Sequence, residues 1–213
     1  MNHKVIGIRD LTASTYVLQL ERNGVAFKAG QCISLGVKDH GLNREYSTYS
    51  GEHETDFEFL IKEVAGGTVS CALRCVRPGD EVTFSGPFGS FVLDAPQDLS
   101  RRYLFIGTGT GIAPFRSYVR SHPDIDWQIL HGVRTLEERY DHQDYDPERY
   151  TACVSSETGG DYHGRVTTYL RENPVDPDTI CYLCGNSAML TEVFDILREQ
   201  GVSGNGLFTE AFF

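Results

Sequence analysis

Near residue 97 the chain changes rhythm, and that change limits the folds open to it. Before it, short apolar segments recur at close intervals: Val5–Arg9, Tyr16–Glu21, Cys32–Val37, Tyr46–Ser50, Phe57–Val64, Glu81–Gly86 and Ser90–Leu93. Turn signals separate them, among them Ala29-Gly30, Gly66-Gly67, Arg77-Pro78-Gly79-Asp80 and Gly86-Pro87, a spacing that predicts a small antiparallel barrel. One short helix is expected after Gly67, because Val69, Leu73 and Val76 share a helical face. After Asp94-Ala95-Pro96-Gln97-Asp98 the apolar runs Tyr103–Thr108, Trp127–Val133, Ala152–Ser155 and Ile180–Cys184 alternate with helical stretches near Phe115–Ser121, Leu136–Tyr140 and Val166–Glu172. That alternation predicts a parallel α/β sheet. The last helix, Ser187–Gln200, has the stripe Met189, Leu190, Val193, Phe194, Leu197, an Asn186 N-cap and Gly201 past its end. Two domains are expected, 1–97 and 98–213.

Charge narrows the partners. The net charge of the 213 residues is −11, which argues against nucleic acid, since phosphate binding needs a basic face. Residues 1–97 hold nine Lys+Arg against twelve Asp+Glu, a net of −3, and residues 98–213 hold ten Arg against eighteen acids, a net of −8. The six acids between Glu137 and Glu148 suggest a solvated face. No segment approaches the roughly 18 apolar residues that span a bilayer, and the N-terminus lacks the apolar core of a signal peptide. The six cysteines are too dilute for a secreted disulfide scaffold. A cytoplasmic monomer is expected.

Several segments can carry chemistry. In Arg44-Glu45-Tyr46-Ser47, alternate side chains share one face of an extended chain, so the Arg44 cation and the Tyr46 ring point the same way. A guanidinium suits a phosphate oxygen and a ring suits a flat heterocycle such as a flavin, with Ser47 reaching its edge. The same tetrapeptide also describes an ordinary surface strand. Gly107-Thr108-Gly109-Thr110-Gly111-Ile112-Ala113-Pro114 follows a strand and opens a helix, where glycines let backbone approach a ligand and the helix N-terminus favours pyrophosphate. It lacks the Gly-Lys-Ser/Thr of nucleotide hydrolases, and a tight strand-to-helix turn is the plain alternative. Gly66-Gly67-Thr68-Val69-Ser70 is a second loop entering a helix, equally an ordinary turn. Cys181 and Cys184, three apart on a strand, face opposite ways, which disfavours a metal or dithiol pair; no metal site is expected. Cys184, at a strand's carboxyl end, is the better functional candidate. His131 and His163 lie near strand ends and could contact ligand, though a satisfied structural histidine is the expectation for each; no Ser–His or Cys–His nucleophile motif exists.

Taken in order, Arg44–Ser47, Gly67–Ser70, Gly107–Pro114 and Leu183-Cys184-Gly185-Asn186 resemble the ferredoxin–NADP reductase superfamily, notably its bacterial flavodoxin/ferredoxin reductases. Ala29-Gly30-Gln31, Pro78-Gly79-Asp80-Glu81-Val82, Val154-Ser155-Ser156-Glu157, His163-Gly164-Arg165 and Glu210-Ala211-Phe212-Phe213 add to the match, which covers essentially the whole chain. The resemblance implies a six-stranded antiparallel Greek-key barrel that binds FAD tightly, followed by an α/β NAD(P)-binding domain. It implies FAD contacts from Arg44, Glu45, Tyr46, Ser47, Leu60, Ile61, Lys62, Glu63, Gly67, Thr68, Val69, Ser70, Thr110, Phe212 and Phe213. For NADPH or NADH it implies Gly109, Thr110, Gly111, Ile112, Val133, Arg134, Ser155, Ser156, Arg165, Cys184, Gly185 and Asn186. Ser47, Cys184 and Glu210 are the implied catalytic set for hydride transfer between nicotinamide C4 and flavin N5, and a ferredoxin or flavodoxin is the implied acceptor. The chain departs from NADP-specific relatives at Ser156, where they carry Arg; Arg134 and Arg165 are the expected substitutes. An NADH-dependent reductase component of an oxygenase, a flavin reductase and a non-catalytic electron-transfer subunit are the alternatives.

Overall fold

Strand β1 (Asn2–Asp10) buries His3 and Val5 between exposed neighbours, the alternation of a sheet with one wet face. It is followed by β2 (Thr15–Glu21), β3 (Cys32–Val37), β4 (Arg44–Ser47), β5 (Asp56–Lys62), α1 (Thr68–Arg74) and β6 (Glu81–Phe88). The six strands form one antiparallel sheet in the order β4-β3-β6-β1-β2-β5. β6 enters between β3 and β1, the crossing of a Greek key. Just beyond β4 the Tyr49 amide donates to the Glu58 carbonyl at 2.8 Å, joining the two edges into a barrel. Phe27, Phe57, Phe59 and Phe84 fill the interior, and Val69 and Leu73 of α1 close onto the same core, with Val76 packed against it. The strand expected at Ser90–Leu93 does not form. Phe91 and Leu93 are buried, which produced the apolar signal, but the Phe91 carbonyl accepts from the Tyr118 hydroxyl at 2.5 Å instead of from a ladder.

The computed structural model describes residues 2–212, in two units: residues up to Asp94 with Arg116–Ser121, and Ala95–Phe115 with the residues from His122 onward. Helix α2 (Ala113–Ser121) thus contributes its second half to the barrel unit. There Arg116 is 3% exposed. It donates to Glu58 at 2.8 Å and to the Tyr49 carbonyl at 3.0 Å, while Ser117 donates to the Ser50 carbonyl at 2.7 Å. A buried cation so fully bonded is tolerated because a carboxylate and a carbonyl replace its water.

The second unit comprises β7 (Arg102–Thr108), β8 (Asp126–Val133), β9 (Tyr150–Val154), β10 (Tyr162–His163), α3 (Val166–Glu172), β11 (Ile180–Gly185), α4 (Ser187–Glu199) and β12 (Leu207–Ala211). The six strands are all parallel, ordered β10-β9-β8-β7-β11-β12. Chain order therefore reverses between β7 and β11, and in open α/β sheets ligands bind outside the carboxyl ends at such a point. Strands β10 and β12 were not expected from the sequence. Asn186 caps α4 as expected, accepting from the Ala188 and Met189 amides at 3.0 and 3.4 Å. Three expectations need correction. Phe194 lies 36% exposed and Ile196 joins the buried stripe in its place, because Phe194 falls at the edge of the arc that faces the sheet. The helix expected at Leu136–Tyr140 is only a 3-10 turn, Leu136–Glu138. The acidic run around it is more than a solvated face: Tyr140, Asp141 and Tyr145 are buried within it.

Candidate functional site

In the barrel unit the candidate residues gather on β4, the end of β5 and the start of α1. β4 is an edge strand registered on β3, with Leu35 opposite Arg44, Ile33 opposite Tyr46 and Cys32 opposite Ser47. Arg44 and Glu45 are exposed, Tyr46 is half-buried against the barrel core, and Ser47 is buried. Arg44 pairs with no carboxylate among the described residues; its Nη1 reaches only the adjacent Asn43 carbonyl at 2.9 Å. Burial pushes the Tyr46 hydroxyl up to about 12, partly offset by the Arg44 charge. The ring is therefore a neutral, partly dry platform beside an uncommitted cation, an arrangement that accepts a flat heterocycle with an attached phosphate.

Helix α1 meets the same neighbourhood. Its first turn has no side-chain cap, with Gly67 at the N-cap position, so its leading amides are left for another acceptor. Thr68 is exposed, whereas Val69 is a core residue that can offer only backbone. Ser70 is buried; its Oγ accepts the Val64 amide at 3.1 Å and its carbonyl accepts the Tyr16 hydroxyl at 2.7 Å. Tyr16 feels the charges of Tyr46, Arg74, Glu63 and Cys71, and burial raises its hydroxyl far above the ordinary range. Arg74 lies 4.8 Å over the Tyr16 ring and has a buried Nη1 with no hydrogen-bond partner. Leu60 and Ile61 are buried in the sheet, so Lys62 and Glu63 are the members of that segment that reach solvent.

In the α/β unit a second group assembles at the reversal between β7 and β11. The turn Gly109–Ile112 leaves the end of β7 in a 3-10 conformation. It can lie against β11 because Gly111 has no side chain: a Cβ there would stand 2.4 Å from the Cys184 carbonyl oxygen. Gly109 has φ +53 and faces open space, so the turn presents bare backbone. Thr108 Oγ1 receives the Asn186 amide at 3.2 Å, tying the two strand ends together.

Cys184 stands in register with Gly107 on one side and Glu210 on the other, and the Phe212 amide donates to the Gly185 carbonyl at 2.9 Å. The Cys184 thiol is fully buried; burial first, and then the Glu210 charge, raise it well above its ordinary value. It is a neutral S–H and not a thiolate nucleophile. Burial likewise pushes Cys181, on the opposite face, up to about 12. Glu210 and Phe212 are half-buried. Phe213 lies outside the described residues.

Farther along the carboxyl edge lie Val133, Arg134, Ser155, Ser156 and Arg165. Val133 is buried, and its carbonyl accepts the Ser155 hydroxyl at 3.1 Å; the Arg134 carbonyl accepts the Ser156 amide at 2.9 Å. Arg134 and Arg165 are exposed, and neither side chain pairs with a carboxylate among the described residues. Two carboxylates serve this edge as backbone caps, Glu138 on the Arg134 amide and Glu157 on the Leu136 amide.

His131, expected to be structural, lies beside this group. His131 is wholly buried on β8 and bonds both the Gly109 carbonyl, at 2.8 Å, and the Tyr150 hydroxyl, at 2.9 Å. Burial drives its pKa down to about 4, against smaller opposing effects from Gly109 and Glu138. The signal was a histidine inside the apolar run Ile129-Leu130-His131-Gly132-Val133, which must have partners on both ring nitrogens.

An antiparallel barrel with an uncommitted Arg-x-Tyr edge, followed by a parallel sheet with a glycine turn at its reversal point, defines a two-domain flavin- and nicotinamide-dependent oxidoreductase. Residues 4–93 match the oxidoreductase FAD-binding domain family and residues 105–195 the oxidoreductase NAD-binding domain family. The chain belongs to the ferredoxin reductase-like superfamily. It is 28% identical to the toluate 1,2-dioxygenase electron transfer component of Pseudomonas putida, over 98% of this chain and 66% of that one. It is also 28% identical to the reductase subunit of an aromatic O-demethylase from Amycolatopsis, over 96% and 70%. The chain thus spans about two thirds of the length of these relatives. A cytochrome P450 reductase structure from Amycolatopsis superposes with a TM-score of 0.88 at 26% identity, covering 100% of this chain and 70% of that one. A ferredoxin NADP+ reductase from Neisseria gonorrhoeae, solved with FAD and NADP, shares the fold at TM-score 0.88 and 21% identity, covering 100% and 98%.

Proposed function

We propose that the chain is an FAD-dependent reductase that takes electrons from NAD(P)H and delivers them to a one-electron carrier protein, a ferredoxin, a flavodoxin or the redox centre of an oxygenase. The observation that carries this is the meeting, at the sheet's reversal point, of the bare Gly109–Ile112 backbone with Cys184, Asn186 and Glu210. A bound flavin supplies acceptance of two electrons from reduced nicotinamide and their release one at a time. The chain's own residues supply placement. Arg44 would neutralise a phosphate, Tyr46 would offer its face to the ring system, and Ser47 at the strand's end would serve the edge of that ring. The Thr68, Val69 and Ser70 amides receive the diphosphate at an uncapped helix end. On the coenzyme side, Thr110 and Gly111 offer backbone to a pyrophosphate. Cys184, neutral and wholly buried at the strand's end, backs the edge where the nicotinamide is placed, which is a positioning task and not a nucleophilic one. Glu210 and Phe212 border the same edge.

Relatives named as oxygenase and demethylase reductases support the carrier as a redox partner. A monomer in the cytoplasm remains part of this proposal; no helix among the described residues is long and apolar enough to cross a membrane. The purified protein is expected to be yellow and to bleach when NADPH or NADH is added without oxygen. A colourless protein, or a yellow one inert to both coenzymes, refutes the proposal.

A further inference from the structure

The Gly107–Ile112 turn has two sides. Towards β11 it is fixed by close backbone packing of Gly111 on Cys184. Towards β8 the His131 side chain holds it. A carbonyl oxygen can only accept, so His131 Nε2 must carry the hydrogen that bonds Gly109 at 2.8 Å. Nδ1 is then a lone pair, and the Tyr150 hydroxyl donates to it at 2.9 Å. The tautomer is settled by its partners, and both ring nitrogens are satisfied at 0% exposure. Tyr150 is itself held by stacking on Tyr145 at 5.1 Å, and Tyr140 lies 6.2 Å from the His131 ring.

Peptide planarity gives this bond its consequence. The Gly109 carbonyl and the Thr110 N–H belong to one rigid plane and point in opposite directions. Drawing the carbonyl inward to His131 turns the Thr110 N–H away from it, at the start of a turn whose first amides have no partner within the turn. Gly109, at φ +53 and with nothing within 4 Å of a would-be Cβ, has no side chain of its own to resist a flip of that plane.

We propose that His131, oriented by Tyr150, sets the Gly109–Thr110 peptide plane and is thereby a positioning residue for the pyrophosphate-bearing coenzyme. This rests on the proposed function for the ligand, though not for the conformation of the turn.

The test uses the flavin-loaded protein and three variants. In His131→Asn the amide sits where Nδ1 was and falls short of Gly109; in His131→Gln the amide nitrogen reaches the position of Nε2 and can restore the bond. Tyr150→Phe removes only the orienting donor and keeps the packing. Without coenzyme, hydrogen exchange over residues 108–113 is expected to quicken in His131→Asn and Tyr150→Phe and to return towards wild type in His131→Gln. With NADPH and NADH titrated in turn, His131→Asn is expected to raise KM and Kd about tenfold, the loss of roughly one hydrogen bond. Turnover at saturation and the flavin spectrum are expected to hold, with His131→Gln restoring affinity. Unchanged exchange in both His131→Asn and Tyr150→Phe overturns the proposal, as does a His131→Gln variant as weak as His131→Asn. Should His131→Asn not fold, the exchange of Tyr150→Phe alone decides. A wild-type protein that binds neither coenzyme overturns the proposed function and the coenzyme role together, while the exchange measurement still decides whether His131 holds the turn.

Discussion

At the scale of single residues, burial decides protonation. His131 ionises near 4 in the fold because a charge there would be stripped of water, whereas an unfolded histidine ionises near 6.5. Between those values the unfolded chain binds a proton that the folded one refuses, so stability falls as pH drops through that window and is fully present above it. The shift corresponds to about 3 kcal/mol. Groups facing the ring are Tyr150, Tyr140 and Glu138, and burial raises the Tyr150 hydroxyl, which stays neutral throughout. Chemical denaturation at pH 4 and pH 6.5 should show wild type losing about 3 kcal/mol more than His131→Gln; equal losses would place the acid sensitivity elsewhere. Coenzyme choice is proposed to rest on a different residue. Arg165, like Arg134, is exposed and pairs with no carboxylate among the described residues, and we propose Arg165 as the cation that meets a 2′-phosphate. Arg165→Ala is expected to lower the NADPH-over-NADH preference about tenfold, the worth of one charge-assisted contact. An unchanged ratio in steady-state kinetics would remove that role.

At the scale of elements, the site exists because strands and turns meet without side chains between them. Gly111→Ala would place a Cβ 2.4 Å from the Cys184 carbonyl oxygen, backbone against backbone, so something must shift. The expected result is a loss of about 1–3 kcal/mol and a coenzyme KM raised at least tenfold, with flavin content retained. Gly206→Ala, whose Cβ would meet its nearest atom at an ordinary 3.6 Å, serves as the control and should melt as wild type does. A Gly111→Ala protein with normal coenzyme kinetics would mean that the turn has another way to pack. Elements also mark what a sequence discloses. The barrel rhythm, the α4 cap at Asn186 and the glycine turn were legible because each depends on neighbours in sequence. Strand β10, only Tyr162–His163, was too short to show a period, and β12 pairs on one side only, so its apolar signal is thin. Ser90–Leu93 read as a strand because burial alone produces the same pattern. At the site, the positions of Cys184 and Gly109 were readable from strand ends. The neutrality of the thiol and the hold of His131 on the turn were not, since both arise from contacts with distant residues.

At the scale of the whole molecule, charge bears on how a carrier protein is met. Ferredoxins and flavodoxins that dock on reductases are expected to be acidic, and a reductase of net charge −11 repels them overall. A local basic patch could reverse this, and Lys62, Arg74, Arg77, Arg101 and Arg102 are the cations that would have to build it. Several are already engaged: Arg74 with Asp10 at 3.1 Å, Arg101 with Asp98 at 3.2 Å and Arg102 with Asp176 at 2.7 Å. A paired arginine presents little net charge to an approaching partner, so steering by these residues is weak and repulsion prevails. The Debye length falls from about 30 Å at 0.01 M salt to about 8 Å at 0.15 M, which mutes repulsion between distant charges before it touches close contacts. Reduction of an acidic carrier, followed by stopped flow, should therefore grow faster or stay level as salt rises over that range. A rate that fell steeply with salt would show instead that an uncompensated basic surface draws the carrier in.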